Sequence, residues 1–175
     1  MHLPNFEDIA YLQSGSPPQQ QAYAILRDFR VMEILQDYNP ILIGTIPLDI
    51  AIADSDLDIA CEVYDLQLFA DHVAKHFARF NAYQFNRKWI REKEVGIVNF
   101  ILMGIPVELY GEGRPVPEQY GYRHLVVEAK LLASGGEGLK REVIRLKEQG
   151  LKTEPAFAQA LNLEGDPYEN ILLLV

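Results

Sequence analysis

With 175 residues, 49% of them hydrophobic and 23% charged, the chain has the composition of an ordinary globular protein able to bury a core, and its length suits one domain. A formal charge of −9 argues against a general DNA- or RNA-binding role, because basic patches supply most of that affinity. The single cysteine, Cys61, excludes an intramolecular disulfide and a multi-cysteine zinc site. No apolar stretch reaches membrane-spanning length, and residues 1–8 lack the basic-then-apolar layout of a secretory signal, so a soluble cytoplasmic protein is expected.

Ser16-Pro17-Pro18 marks a helix start, with proline in the first turn. Ala22, Ile25, Leu26, Phe29, Met32 and Leu35 then recur at three- and four-residue steps and predict a helix over residues 19–35, stopped by Asn39-Pro40. Residues 41–43 and 57–63 read as buried strands. Asp65 can cap a helix running to about residue 80, with Leu66, Phe69, Val73, Phe77 and Phe80 on its inner face. Residues 83–90, 96–102 and 106–110 are strand-like, the last two joined by a hairpin turn at Met103-Gly104. Beyond Pro117 helices are predicted over residues 118–134, 138–149, 155–161 and 167–174, with Gly135-Gly136 as a flexible link. This mixture predicts an α+β (α/β-like) fold in one domain over residues 1–175, with a core at about 17–112 and a helical cap at about 117–175.

The chemistry concentrates at Ile43-Gly44-Thr45 and, after ten intervening residues, Asp56-Leu57-Asp58-Ile59. Strand side chains alternate, so Asp56 and Asp58 share a face, roughly 6.5 Å apart along it. Two such carboxylates repel unless a cation lies between them, and oxygen-only ligands suit Mg²⁺ held together with substrate phosphates. Gly44 lets backbone approach a phosphate, and Thr45 opens a turn whose N–H groups face the same way. Glu108, in the apolar run Pro106-Val107-Glu108-Leu109-Tyr110, faces away from its neighbours and is the candidate third carboxylate of a two-metal site.

Plainer readings stand beside these. Asp56 and Asp58, with Asp49 and Asp54 nearby, also fit a solvated strand end, and Glu108 an exposed strand acid. Glu62 shares the Asp58 face but lies about 13 Å further along the strand, too far to share one ion. Arg87, Lys88 and Arg91 suit phosphate contact or a solvated edge strand. Arg123 and Lys130 share a helix face; Lys130 can reach a phosphate or pair with Glu128 or Glu137. His124 reads as a packed or surface histidine. Lys152-Thr153-Glu154-Pro155 and Asp166-Pro167 have a sufficient cause as helix starts.

Gly44-Thr45, the ten-residue gap, Asp56-x-Asp58 and Glu108 together resemble the polymerase-β-like nucleotidyltransferase superfamily, with its Gly-Ser or Gly-Gly turn, acidic strand pair and third strand acid. Ser55-Asp56-Leu57-Asp58-Ile59, Tyr122-Arg123-His124, Lys152-Thr153-Glu154-Pro155-Ala156-Phe157 and Gly165-Asp166-Pro167-Tyr168 look like a small bacterial family, a domain of unknown function grouped with those enzymes. The resemblance implies a nucleotidyltransferase fold with a short mixed sheet, flanking helices and a C-terminal helical cap. It further implies that Gly44 and Thr45 grip nucleotide phosphates, and that Asp56, Asp58 and Glu108 serve Mg²⁺ (or Mn²⁺) and catalysis. Thr45 stands where serine is usual, and Glu108 where aspartate is common. The activity implied is transfer of a nucleoside monophosphate from a nucleoside triphosphate to a small-molecule or protein acceptor. Two alternatives stay open, a catalytically inactive binding module and a metal-dependent phosphohydrolase. The apolar run over residues 171–175 can dock on its own core or on a second subunit, which leaves the oligomeric state open.

Overall fold

A computed structural model describes residues 3–174; Met1, His2 and Val175, the last residue of the apolar C-terminal run, lie outside the described residues. Five strands, β1 (Ile41–Ile43), β2 (Leu57–Glu62), β3 (Asn81–Ile90), β4 (Lys93–Leu102) and β5 (Ile105–Glu112), form one sheet in the order β1-β2-β5-β4-β3. β2 and β5 are parallel and the other pairs antiparallel. The sheet is therefore mixed, as the resemblance to the nucleotidyltransferases implies.

Alternation along the strands divides the residues between two faces. Leu57, Ile59 and Cys61 of β2, Val107 and Leu109 of β5, and Val98 and Phe100 of β4 bury against α1 (Pro17–Asp28) and α3 (Leu66–Phe77). Phe77 stacks on Phe100 with ring centroids 4.8 Å apart. On the other face Ile41 and Ala60 pack under the C-terminal helices α4 (Tyr120–Glu148), α5 (Thr153–Ala160) and α6 (Pro167–Ile171) through Leu125, Leu146, Phe157 and Ile171. Each fully buried large apolar side chain contributes about 1.5–3 kcal/mol, so each face is held by its own apolar cluster.

Several boundaries differ from expectation for local reasons. The helix predicted over residues 19–35 is broken: Arg30 sits in the left-handed region at φ 53°, and a short α2 (Val31–Ile34) follows. The apolar period runs through the break because Leu26, Val31 and Leu35 all reach the same core. β4 starts at Lys93 rather than residue 96, because the β3–β4 hairpin extends its pairing over polar residues through Trp89–Glu94 and Ile90–Lys93. Its turn, Arg91-Glu92, has φ of 49° and 62°, both positive as in a primed hairpin turn, without the Asn or Gly that advertises one. Met103-Gly104, at φ 51° and 83°, is the turn the sequence does advertise. α4 is interrupted at Gly136 (φ 60°, ψ −162°), where the Gly pair predicted a link.

Candidate functional site

β1 ends at Ile43, which is in register with Asp58 of β2. Gly44 follows at φ +78°, and a Cβ there would fall 2.5 Å from Asp58 Oδ2. Both the dihedral and the approach require glycine. The loop beyond it is tied down from several sides. Buried Gln19 of α1 donates to the carbonyls of Ile46 (2.9 Å) and Pro47 (3.2 Å). Thr45 Oγ1 donates to Ser55 Oγ at 3.2 Å, and Ser55 Oγ also accepts from Ile52 N at 2.9 Å. Lys140 pairs with Asp49, and Lys147 Nζ donates to the Ile50 carbonyl at 2.8 Å. The turn that presents Gly44 and Thr45 is thus braced by both the N-terminal helix and the far half of α4.

Asp58 is in register with Glu108 on the adjacent parallel strand β5, and Glu108 with Asn99 of β4. Directly opposed residues share a face, so the two acids stand side by side. Asp56 lies just before β2 and is exposed, while Asp58 and Glu108 are half-buried. Burial, then the charges of Asp56 and Glu108, push the Asp58 carboxyl up to about 8. Glu108 is also raised, by burial and Asp56, against the opposing pull of Lys88 and Lys152. Among the described residues no three His, Cys, Asp or Glu side chains are gathered closely enough to hold a metal ion by themselves.

These acids open onto a cavity of about 760 Å³ between the sheet and the C-terminal helices. Its second wall is polar as well. His124 and Glu128 of α4, Lys147 further along α4, and Lys152, Thr153 and Glu154 at the start of α5 all line it. His124 Nε2 donates to the Tyr168 carbonyl at 2.7 Å, which turns Nδ1 toward Glu154 Oε1, 3.7 Å away. Glu128 is only 3% exposed, its Oε1 lacks a hydrogen-bond partner, and burial with nearby Glu154 raises it well above the carboxylate range. Burial pulls the Lys147 amine down to about 8, against the attraction of Glu128 and Asp56. At the rim, Arg91 stacks over Tyr120, 3.6 Å from the ring centroid, and pairs with Glu169 at 2.6 Å. Glu112 is committed to Arg114 at 2.7 Å.

The fold therefore brings Gly44, Thr45, Asp56, Asp58 and Glu108 to one cavity. Lys130 is not brought there: it is exposed, while α4 turns Gly121, His124, Leu125 and Glu128 inward. Two residues beyond Glu128 a helix has rotated by roughly 200°, which carries Lys130 to the outside. Glu62 instead accepts from Asn39 at 3.0 Å, and Arg87 donates to Gln67 at 2.9 Å. Lys147, Lys152, Glu154 and Glu128 were not singled out as site residues from the sequence. Glu128 leaves a local signal, an acid inside the apolar run Leu125-Val126-Val127-Glu128-Ala129.

No curated protein matches the chain in sequence. Among solved structures, the polymerase core of TRAMP, an RNA surveillance complex, superposes with a TM-score of 0.54 at 16% identity, covering 95% of this chain and 58% of that one. The GLD-2/RNP-8 complex gives 0.53 at 12% identity over 90% and 63%. A mutant Cid1 poly(U) polymerase bound to MgATP gives 0.55 at 10% identity over 90% and 49%. The chain thus spans about half to three-fifths of these proteins, and at such identities they establish the fold alone. That fold is the nucleotidyltransferase fold, with its mixed sheet and flanking helices. Residues 24–174 match the family described as a domain of unknown function, DUF4269, and the chain belongs to that family.

Proposed function

We propose that the protein is a divalent-metal-dependent nucleotidyltransferase, moving a nucleoside monophosphate from a nucleoside triphosphate to a small-molecule or protein acceptor. The observation that carries this reading is Asp58 registered beside Glu108, with Gly44 stripped of the Cβ that would strike the Asp58 carboxylate. The donor set fits a hard cation. Every donor is oxygen, and burial together with the charges of Asp56 and Glu108 raises the Asp58 carboxyl to about 8, a cost that a bound cation offsets. Asp56 and Asp58 would hold Mg²⁺ or Mn²⁺, Glu108 would be the third carboxylate, and substrate phosphates would complete the set. When bound, the metal would neutralise charge on the phosphates in the transition state.

The chain's own groups do the rest. Gly44 and Thr45 bring backbone against the phosphates. Lys147 and Lys152, on the cavity wall, supply the positive charge that the sequence reading assigned to Lys130. An acceptor oxygen or nitrogen bonds to the α-phosphorus as the bond to the β-phosphate oxygen breaks. Pyrophosphate leaves with that electron pair, and the acceptor proton passes to Glu108, which faces the cavity beside Asp58. The net charge of −9 favours a small molecule or protein over nucleic acid as acceptor, and a cytoplasmic setting supplies the triphosphate.

The test is calorimetric titration of the four nucleoside triphosphates with Mg²⁺ or Mn²⁺, on wild type and on the double variant Asp56→Asn/Asp58→Asn. Metal-dependent binding that vanishes in the double variant is expected. A folded wild type that binds none of them sinks the reading, and binding without pyrophosphate release across an acceptor screen leaves only a binding module.

A further inference from the structure

We propose that the Glu128–Glu154 corner of the helical wall is the acceptor subsite, and that it takes an acceptor bearing a primary ammonium group, received by these two carboxyls. This rests on the nucleotidyl-transfer reading of the same cavity.

Glu128 is the reason to look there. It lines the cavity, is 3% exposed, and has an oxygen without a hydrogen-bond partner. A buried acid kept for structural reasons has its oxygens bonded. The Lys147 ammonium attracts Glu128 through its charge but donates to the Ile50 carbonyl, and Glu128 Oε1 stays without a hydrogen-bond partner. Lys152 pulls on Glu108 across the cavity. Glu154 adds a second carboxyl, half-buried, with His124 Nδ1 at 3.7 Å as its neighbour.

The chemistry of this corner selects its ligand. An anionic group would meet two carboxyls and is excluded. A neutral hydroxyl would satisfy the orphan oxygen but bring no charge to offset the two neighbouring carboxyls. An ammonium donates to the oxygen and offsets the crowding at once, through charge-assisted hydrogen bonds. A nucleoside triphosphate carries no cationic group, so the ammonium must come with the second substrate. Gly44, Thr45 and the sheet carboxylates then serve the nucleotide, with Lys147 and Lys152 facing its phosphates, and the Glu128–Glu154 corner serves the acceptor.

Paired probes test this on the full chain: 1,4-diaminobutane against butane-1,4-diol, and glucosamine against glucose, titrated with and without nucleotide and Mg²⁺. The amines should bind about tenfold or more tightly than their hydroxyl counterparts, and Glu128→Gln should reduce that preference to about threefold or less. Glu154→Gln carries the same test at a more accessible position should Glu128→Gln fail to fold. Equal binding of amine and hydroxyl by wild type overturns the proposal, as does an amine preference that survives both substitutions. Nucleotide binding without amine preference sinks this subsite alone. Amine preference without nucleotide binding sinks the transfer reading, and with it the assignment of the ligand as an acceptor.

Discussion

The two faces of the sheet are built from the same strands and do opposite things. β2 gives Leu57, Ile59 and Cys61 to one face and Asp58 to the other; β5 gives Val107 and Leu109 to one and Glu108 to the other. Over β2, β5 and the inner part of β4 the first face is apolar and closed by α1 and α3, while Arg87 on β3 reaches solvent at its edge. The second is apolar where Ile41 and Ala60 meet the C-terminal helices, and beside that contact it opens into a cavity whose lining includes acids and lysines. One residue's alternation along a strand separates stability from chemistry, so the site's electrostatic strain rests on a scaffold braced from behind.

The sharpest break of this contrast would come from the apolar face. Phe100→Ala removes a ring that is 2% exposed and stacked on Phe77, and should cost about 3–5 kcal/mol in urea unfolding. A loss below about 1 kcal/mol would mean that this face does not carry the fold.

On the charged face the sign should reverse. Asp58 titrates near 8 in the folded chain against an ordinary value of 3.8, so the folded state binds its proton more tightly than the unfolded state. Its contribution to stability is therefore lost as pH rises from about 4 to about 8, and is constant outside that window. Asp58→Asn should remove that decline and stabilise the metal-free protein at pH 7 by about 1–3 kcal/mol, while abolishing metal-dependent nucleotide binding. Unfolding free energies measured from pH 4 to 9 on both proteins decide it; parallel profiles would count against the carboxylate crowding.

Gly44→Ala lies where the two faces meet. Its Cβ must displace the Asp58 carboxylate and hold a strained dihedral, at about 1–2 kcal/mol of stability and about tenfold or more of nucleotide affinity. Unchanged binding would show that the turn does not touch the ligand.

The smallest effect is expected at the rim. Arg91→Ala removes an exposed ion pair with Glu169 and the stacking on Tyr120, worth less than about 1 kcal/mol together in thermal unfolding. A larger loss would show that the rim, and not only the apolar clusters, joins the hairpin to α6.

Legibility in the sequence followed the range of the interaction. Gly44, Asp56 and Asp58 were readable because a turn and a two-residue spacing are local. Glu108 was readable as an acid within an apolar strand, though not its register with Asp58. Lys130 was placed by its spacing from Arg123, a relation along one helix that does not say which face packs inward; Leu125 and Val127, packed into the core cluster, mark the face that does. The break at Arg30 was hidden because both helical pieces bury apolar residues in one core, which keeps the periodicity intact across the change of direction.

By itself, then, the sequence determined the strands, most of the helices, the Met103-Gly104 hairpin and which sheet-side residues, Gly44, Thr45, Asp56, Asp58 and Glu108, would line the cavity, since backbone stereochemistry and alternation act between neighbours. Only the tertiary structure decided that β5 lies between β2 and β4, setting Glu108 beside Asp58, and that Glu128, Lys147, Lys152 and Glu154 face those acids across one cavity. Those residues come from separate turns of α4 and the start of α5, and what unites them is burial of the apolar positions around them. The hydrophobic packing of the C-terminal helices aims the charged groups, and no spacing along the chain encodes that aim.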